Sequence, residues 1–251
     1  MGLSRRSWLG GMMGVPLLVP SALAAGHAEE ASVVDTTDLA LACASGLGPL
    51  MQRAAEAFRE QIGVRLNVFP INPGLLLQQL QREVQIDLVI TRYADMEALS
   101  AKGLLAPPPY TGPWRDRLVI AARKGITLQT ALGGVVAVPD AGTAAGLDGP
   151  GILAKAGFRA RSLIGVVDTA EAAAMLSAGT VNAALLYLSE VRTDMLLTEV
   201  APVPEAVAPD LRVAASVTAG ARRPNPQAFL QFLLTSYGRR MLVQNGLEEL
   251  A

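Results

Sequence analysis

The chain contains the stretch Leu39-Ala-Leu-Ala-Cys-Ala-Ser-Gly-Leu-Gly-Pro-Leu50, an apolar run followed by a turn of small residues. The run predicts a buried strand that breaks at Ser45-Gly46, and Pro49 predicts the start of a helix. The unpaired first-turn amides and the macrodipole of such a helix attract anions, and the Ser45 hydroxyl adds a donor. The stretch therefore predicts an anion cradle, although the same residues also suit an ordinary strand-to-helix turn.

Strand and helix patterns alternate along the rest of the chain. Apolar runs predict strands at 64–69, 86–91, 118–122, 135–138, 163–167, 182–187 and 211–217. Asn72-Pro73 predicts the N-cap and first residue of a second helix, and the residues from Asp168 to Glu171 predict a capping box. Ligands of open α/β sheets bind outside the carboxyl ends of the strands, where Tyr187 is expected to lie.

Composition and charge favour a compact binding protein. The 251 residues are 51% hydrophobic and 17% charged, which suits one large domain or two small lobes. A net charge of −1 gives no electrostatic footprint for nucleic acid or an anionic membrane, so neither is an expected partner.

Two residue counts exclude several kinds of chemistry. The chain has one cysteine, Cys43, and one histidine, His27. An intramolecular disulfide is impossible, and the spacing of a Cys/His metal site is absent. A Ser-His or Cys-His hydrolase would lack a histidine in the folded body, and no acid/base pair emerges. We therefore expect neither an enzyme nor a bound cofactor or metal cation, and Cys43 is expected to be a buried structural thiol.

The first 28 residues predict a signal peptide. Ser4-Arg-Arg-Ser-Trp-Leu9 is a twin-arginine pattern, the apolar region that follows is interrupted by Gly and Pro, and Ala22-Leu-Ala24 suits a signal peptidase. An uncleaved membrane anchor is the alternative. The sequence therefore predicts export to the periplasm, by the twin-arginine or the general route.

With these residues in place, the chain resembles the periplasmic substrate-binding proteins of molybdate-type ABC transporters. The resemblance covers nearly all of the mature chain. Its most specific segments are Ala42-Cys-Ala-Ser45, Ile86-Asp-Leu-Val-Ile-Thr91, Val138-Pro-Asp140 with Gly151-Ile-Leu-Ala-Lys155, residues 171–187 and the tail 228–236.

The resemblance implies the type II periplasmic binding fold, an α/β architecture of two lobes. Each lobe is a mixed sheet flanked by helices, and two crossing strands form the hinge. Residues 33–120 plus 214–251 are expected to form lobe 1, and residues 121–213 lobe 2.

The resemblance also implies ligand-binding residues. Ser45 matches the first serine of that family, Ala144 and Thr169 match backbone donors, and Tyr187 matches the tyrosine. In that family the lobes close over a tetrahedral oxyanion without a compensating basic side chain.

Three positions depart from that pattern or qualify it. Asn72 is the nearest substitute for the second serine of the family, although its amide also presents an acceptor that repels a dianion. Arg92 and Thr143 are candidate determinants of specificity. If Arg92 points into the cleft, it favours a ligand with a carboxylate or phosphate; if it points outward, it is a solvated surface charge.

The resemblance thus implies a monomer that captures molybdate or tungstate for an ABC importer, with an inner-membrane permease as its partner. Asn72 and Arg92 leave open a binding protein of the same fold for an organic acid or another anion. A periplasmic sensor, or an assembly partner of a periplasmic enzyme, is a further alternative.

Overall fold

The computed structural model describes residues 38–82, 85–108, 110–141 and 147–250, so the predicted signal peptide lies outside the described residues. Within these ranges eleven strands and nine helices alternate. The strands are β1 (Leu39–Ala44), β2 (Leu66–Ile71), β3 (Leu88–Arg92), β4 (Thr111–Arg115), β5 (Leu118–Arg123), β6 (Val135–Pro139), β7 (Ser162–Val166), β8 (Ala183–Tyr187), β9 (Leu197–Pro202), β10 (Arg212–Val217) and β11 (Glu248–Glu249). The helices are α1 (Gly48–Ile62), α2 (Pro73–Gln81), α3 (Tyr93–Ala101), α4 (Leu128–Leu132), α5 (Gly149–Lys155), α6 (Thr169–Ser177), α7 (Leu188–Thr193), α8 (Gln227–Leu234) and α9 (Ser236–Gln244).

The strands form two mixed sheets, each flanked by helices, as the sequence predicts. The first sheet has the order β11-β4-β10-β3-β1-β2, and the second has the order β7-β6-β8-β5-β9. The chain passes from the first sheet to the second between β4 and β5 and returns between β9 and β10. We call the parts built on the two sheets lobe 1 and lobe 2.

The expected lobe boundaries at 120/121 and 213/214 fall inside β5 and β10. The structure places the crossings at residues 116–117 and 203–211. β5 pairs from Leu118 onward with β8 and β9 of the second sheet, whereas β10 pairs with β3 and β4 of the first. An apolar strand pattern does not reveal which sheet the strand joins, so the sequence alone did not locate the crossings at the strand ends.

The two sheets repeat one arrangement. Three parallel strands lie in the order β2-β1-β3 in lobe 1 and β7-β6-β8 in lobe 2, and an antiparallel strand follows beside the third. A helix or helical turn begins at or shortly after the carboxyl ends of five parallel strands: β1, β2, β3, β7 and β8. This places Ser45, Asn72 and Arg92 at one edge of the first sheet, and Thr169 and Tyr187 at the matching edge of the second.

Both sheets are covered on both faces. In β1, Leu39, Leu41 and Cys43 pack toward α1, α8 and α9, whereas Ala42 packs toward α2 and α3. This burial on two sides explains why the strand is a continuous apolar run. Cys43 is fully buried, and burial raises the pKa of its thiol to about 12, in keeping with a structural role.

No helix among the described residues is both long and apolar enough to cross a membrane.

Local signals for the helix ends are largely confirmed. Asn72 caps α2, with its Oδ1 accepting a hydrogen bond from the Gly74 N–H at 3.0 Å, and α1 ends at Gly63 in the left-handed conformation. The start of α1 lies at Gly48, one residue before the predicted position, because residues 45–47 form a 3₁₀ turn that leads directly into the helix.

Candidate functional site

One cavity of about 40 Å³ lies between the carboxyl-end edges of the two sheets. It brings together Ser45 and Arg92 from lobe 1 with Thr169 and Tyr187 from lobe 2. The residues that line it are Ala44, Ser45, Gly46, Leu47, Arg92, Asp116, Asp168, Thr169, Tyr187, Leu211 and Val213. Four of the seven residues singled out from the sequence therefore meet at one place.

Two residues with hydroxyl groups line this cavity from opposite lobes. Ser45 begins the 3₁₀ turn directly after β1, and Tyr187 ends β8. Burial, with a smaller contribution from the nearby Glu190 carboxyl, raises the pKa of Tyr187 above its usual value. The phenol therefore stays protonated and acts as a neutral hydrogen-bond donor.

Thr169 stands at the first position of α6, where backbone N–H groups have no partner within the helix. Its side chain is buried. Asp168 caps the helix by accepting the Glu171 N–H at 3.0 Å, and the Glu171 carboxylate in turn accepts the Val167 N–H at 2.8 Å. The predicted cap is thus present, with its reciprocal bond shifted to the residue before the N-cap.

Arg92 lies among the residues that line the cavity. Its Nε and Nη2 atoms bind the two carboxylate oxygens of Asp95 at 2.8 and 3.0 Å. The bond to Asp95 raises the pKa of Arg92 above its usual value. The guanidinium is therefore fixed in orientation, and the Asp95 carboxylate offsets part of its charge.

The other three predicted positions do not lie among the described residues that line the cavity. Asn72 follows β2, which pairs with β1, so it lies near Ser45 at the sheet edge, but its Oδ1 is used to cap α2. Its part in ligand binding stays a prediction. Thr143 and Ala144 are outside the described residues, and their roles also stay predictions.

The lobes approach each other closely at Gly46. A Cβ atom placed on Gly46 would lie 3.0 Å from three atoms of lobe 2: Glu190 Oε1, Thr169 Oγ1 and Tyr187 Cδ2. Such contacts are tighter than nine in ten real Cβ contacts, so a side chain here would require these atoms of lobe 2 to shift by a few tenths of an ångström. The absence of a side chain at this position lets Ser45 and Tyr187 share one cavity.

Arg53 adds a second contact between the lobes. From α1 its Nη2 donates to the Thr193 carbonyl at the end of α7 at 2.6 Å, and its Nη1 donates to Asn245 Oδ1 at 2.9 Å. A cation at a helix C-terminus is stabilised by the unpaired carbonyls and the helix dipole. The short helix α7 is thereby held against lobe 1.

A sequence model of bacterial extracellular solute-binding proteins matches residues 39–248, which is most of the chain. The chain belongs to this family. No curated protein sequence matches it significantly. The match spans both lobes and both crossings, so it covers every described residue of the cavity.

Solved structures share the fold of this solute-binding protein. The periplasmic molybdate-binding protein of Azotobacter vinelandii has a TM-score of 0.69 at 13% identity, over 85% of this chain and 100% of that one. The substrate-binding domain of a putative molybdenum ABC transporter from Clostridium difficile has a TM-score of 0.63 at 20% identity, over 85% and 99%. PEB3 from Campylobacter jejuni, which has also been solved with L-phospholactate bound, has a TM-score of 0.62 at 15% identity, over 85% and 100%. These likenesses confirm the two-lobed type II fold and leave the ligand open.

Asp116 occupies the first crossing of this solute-binding protein and lines the cavity. Its carboxylate accepts hydrogen bonds from Ser189 Oγ at 2.5 Å, from the Ser189 N–H at 3.3 Å and from the Arg117 N–H at 2.8 Å. Burial raises the pKa of Asp116 to about 6, and these donors oppose the rise. The crossing is thereby bonded to the start of α7.

Glu190 is a second buried carboxyl group, placed behind the cavity wall. It is 4% exposed, and its Oε2 accepts the Tyr187 N–H at 2.9 Å. Its Oε1 has no hydrogen-bond partner in the described part of the chain. Burial raises the pKa of Glu190 to about 8, and contacts with the Tyr187 N–H and the Thr169 hydroxyl only partly oppose the rise.

Sequence reasoning missed Gly46, Asp116 and Glu190 as parts of the site. A local signal existed for Glu190, because Glu at the third position of a helix accepts the N–H of the N-cap residue, here Tyr187. Asp116 carried no local signal, since its burial follows only from its place at the crossing.

Gly46→Ala is expected to hold the cleft more open, because the new methyl group would contact atoms of lobe 2. Small-angle X-ray scattering of the purified protein should give a larger radius of gyration than the wild type. Gly220→Ala is the matched control, since a Cβ there meets open space. Equal radii for the wild type and Gly46→Ala would contradict the role assigned to the glycine.

Glu190→Gln is expected to stabilise the protein at high pH only. A glutamate in an unfolded chain has a pKa of about 4.3, whereas the folded-state value for Glu190 is about 8. Between these values the folded state holds a proton that the unfolded state has released, so wild-type stability falls as pH rises through this window. Urea unfolding should show the stability of the variant relative to the wild type rising by about 4 kcal/mol between about pH 5 and about pH 9.

Glu171→Gln is the control for that measurement, because Glu171 is exposed and lies on the neighbouring helix. It should not produce a gain that grows with pH. A constant difference between Glu190→Gln and the wild type at both pH values would contradict the assignment of a buried, protonated carboxyl group.

Proposed function

We propose that this solute-binding protein captures a small tetrahedral oxyanion, molybdate or tungstate, in the periplasm and delivers it to an inner-membrane permease of the ABC type. The observation that carries the proposal is the meeting of Ser45 and Tyr187, neutral donors from opposite lobes, in one cavity. The start of α6 at Thr169 adds backbone N–H groups to the same place.

The size of the cavity supports a small ligand. Its volume of about 40 Å³ is well below the roughly 300–1,000 Å³ that is typical of pockets for drug-sized ligands. Hydroxyl and amide donors bind an oxyanion without a salt bridge, so selection rests on the size of the cavity and the number of donors.

The placement of the donors also supports capture by closure of the lobes. An anion bound between Ser45 and Tyr187 contacts both lobes, so it binds the closed state more tightly than the open state and shifts the population toward it. The closed protein is then the form that a permease would recognise.

Calorimetric titration with molybdate, tungstate, sulfate and phosphate tests the proposal. Molybdate and tungstate should bind, and a Ser45→Ala, Tyr187→Phe double variant should bind them at least about 100-fold more weakly, because two hydrogen bonds to a charged ligand are lost. Ser236→Ala, Tyr237→Phe is the matched control, since both residues are exposed on α9, and it should bind as the wild type does. No heat of binding with molybdate or tungstate would overturn the proposed ligand.

Arg92 supports a second candidate, an organic anion that carries a carboxylate or phosphate. Arg92 lines the cavity, its guanidinium is oriented by Asp95, and a guanidinium fork matches such groups in a bidentate way. The fold is shared with PEB3, which has been solved with L-phospholactate bound.

Phospholactate should be added to the titrations, together with Arg92→Lys. If a phosphate-bearing organic acid is the ligand, Arg92→Lys should weaken its binding about tenfold or more, because the lysine keeps the charge and loses the fork. Arg59→Lys on the exposed face of α1 is the control. Tight phospholactate binding that Arg92→Lys leaves unchanged would contradict a role for the guanidinium.

A further inference from the structure

Behind the wall of the cavity lies a carboxyl group that the proposed capture of an anion does not explain. Glu190 Oε1 and Thr169 Oγ1 both lie 3.0 Å from the position of a Cβ on Gly46, and Tyr187 lies equally close to it. Gly46, Thr169 and Tyr187 all line the cavity. A buried oxygen without a hydrogen-bond partner therefore stands directly behind three residues of the site.

We propose that Glu190 takes up one proton when an anion binds in this cavity, so that capture of the anion is coupled to pH. The inference rests on the proposed function. The proton comes from the solvent, binds Glu190 Oε1 and returns to the solvent when the anion leaves, so each binding event consumes at most one proton through this group.

The coupling follows from like-charge repulsion in a buried site. An ionised Glu190 and a bound dianion would both be desolvated near the same donors, and their repulsion is screened weakly there. Protonation removes this repulsion. Protonation also changes the part that Thr169 plays. An ionised carboxylate attracts the hydrogen of the Thr169 hydroxyl. A carboxylic acid instead donates its own proton to the hydroxyl oxygen, so the hydroxyl hydrogen is left to bind the anion.

Other charged groups around Glu190 do not remove the need for this proton. Asp116 at the crossing and Asp168 before α6 add negative charge and raise the pKa of Glu190 further. On the lobe 1 side, the 3₁₀ turn at residues 45–47 carries no charged side chain, and Arg53 on α1 is bonded to the Thr193 carbonyl and to Asn245.

The remaining charged groups near α7 are also engaged. Arg92 is held by Asp95 across the cavity. Glu171 on α6 accepts the Val167 N–H, and Asp194 after α7 accepts the Ser177 hydroxyl at 2.5 Å.

Asp116 differs from Glu190 in one decisive respect. Both oxygens of Asp116 accept hydrogen bonds, from Ser189 and from the Arg117 N–H, and such donors favour the ionised form. Only one oxygen of Glu190 accepts a hydrogen bond from a described residue. Glu190 can therefore take a proton on Oε1 while its Oε2 keeps the hydrogen bond from the Tyr187 N–H.

Calorimetry in buffers of different ionisation enthalpy measures the proton directly, because the observed heat then varies with the number of protons exchanged. Molybdate and sulfate are suitable probes, since both remain dianions from about pH 6.5 to about pH 9.5 and exchange no proton themselves. At about pH 9 we expect uptake that approaches one proton per bound anion, and near pH 6.5 we expect little uptake through Glu190. Above about pH 8 the affinity should fall, by up to about tenfold per pH unit.

Two variants separate Glu190 from the rest of the site. Glu190→Gln should abolish the uptake at about pH 9 and hold the affinity nearly constant between about pH 7 and 9, because the amide resembles the protonated acid. Glu171→Gln removes an equal charge from the exposed side of α6 and should keep the wild-type proton count and pH profile. Should Glu190→Gln fail to fold, the wild-type proton count decides the question alone.

The outcomes distinguish this inference from the proposed function. Binding of molybdate or sulfate without proton uptake at about pH 9 would overturn the coupling and leave anion capture standing. Uptake that persists unchanged in Glu190→Gln would assign the proton to another group and overturn the role of Glu190. Failure of every anion to bind at any pH would overturn the proposed function and the coupling together.

Discussion

The close contact of Gly46 with the end of β8 and the start of α6 is the constraint on which the site depends. Each lobe places the carboxyl ends of its parallel strands at one edge, and a cavity forms only if the two edges meet. They can meet because residue 46 has no side chain to separate Ser45 from Tyr187. The contact that builds the cavity also covers Glu190, so the burial of this carboxyl group is a consequence of bringing the donors together.

The charge balance of the cavity is unusual for a site that would hold an anion. Among the described residues that line it, Arg92 is the one cation and is engaged by Asp95, whereas Asp116 and Asp168 are acidic. Attraction by net positive charge therefore does not explain the proposed capture of an anion. What remains are neutral hydroxyl donors and the N-termini of helices. Their electrostatic interaction with an anion becomes stronger when closure of the lobes excludes water.

The sequence predicted the features that depend on neighbours along the chain. The buried strand before Ser45, the cap at Asn72 and the strand that ends at Tyr187 all follow from local patterns, and the structure has them. Strand β4 was missed because Gly and Pro at positions 112 and 113 indicate a turn, and α7 was missed because six residues are too few to show a helical period.

The features that the sequence could not predict depend on contacts between distant segments. Glu190 lies three residues after Tyr187, yet its Oε1 lies beside Gly46 of the other lobe. The direction of Arg92 likewise remained open in the sequence, because an arginine at the end of a strand suits solvent as well as a cleft. Only the assembled sheets place it on the cavity wall.

The position of Asp116 connects the movement of the lobes to the state of the buried carboxyl group. Asp116 lies in the first crossing and binds Ser189, and Ser189 immediately precedes Glu190 on α7. A rotation about the crossings that separates Gly46 from Tyr187 would also take Gly46 away from the Glu190 carboxyl group. Closure reverses both changes at once. The affinity of Glu190 for a proton and the affinity of the cavity for an anion are therefore properties of the same closed state, and by linkage each must strengthen the other.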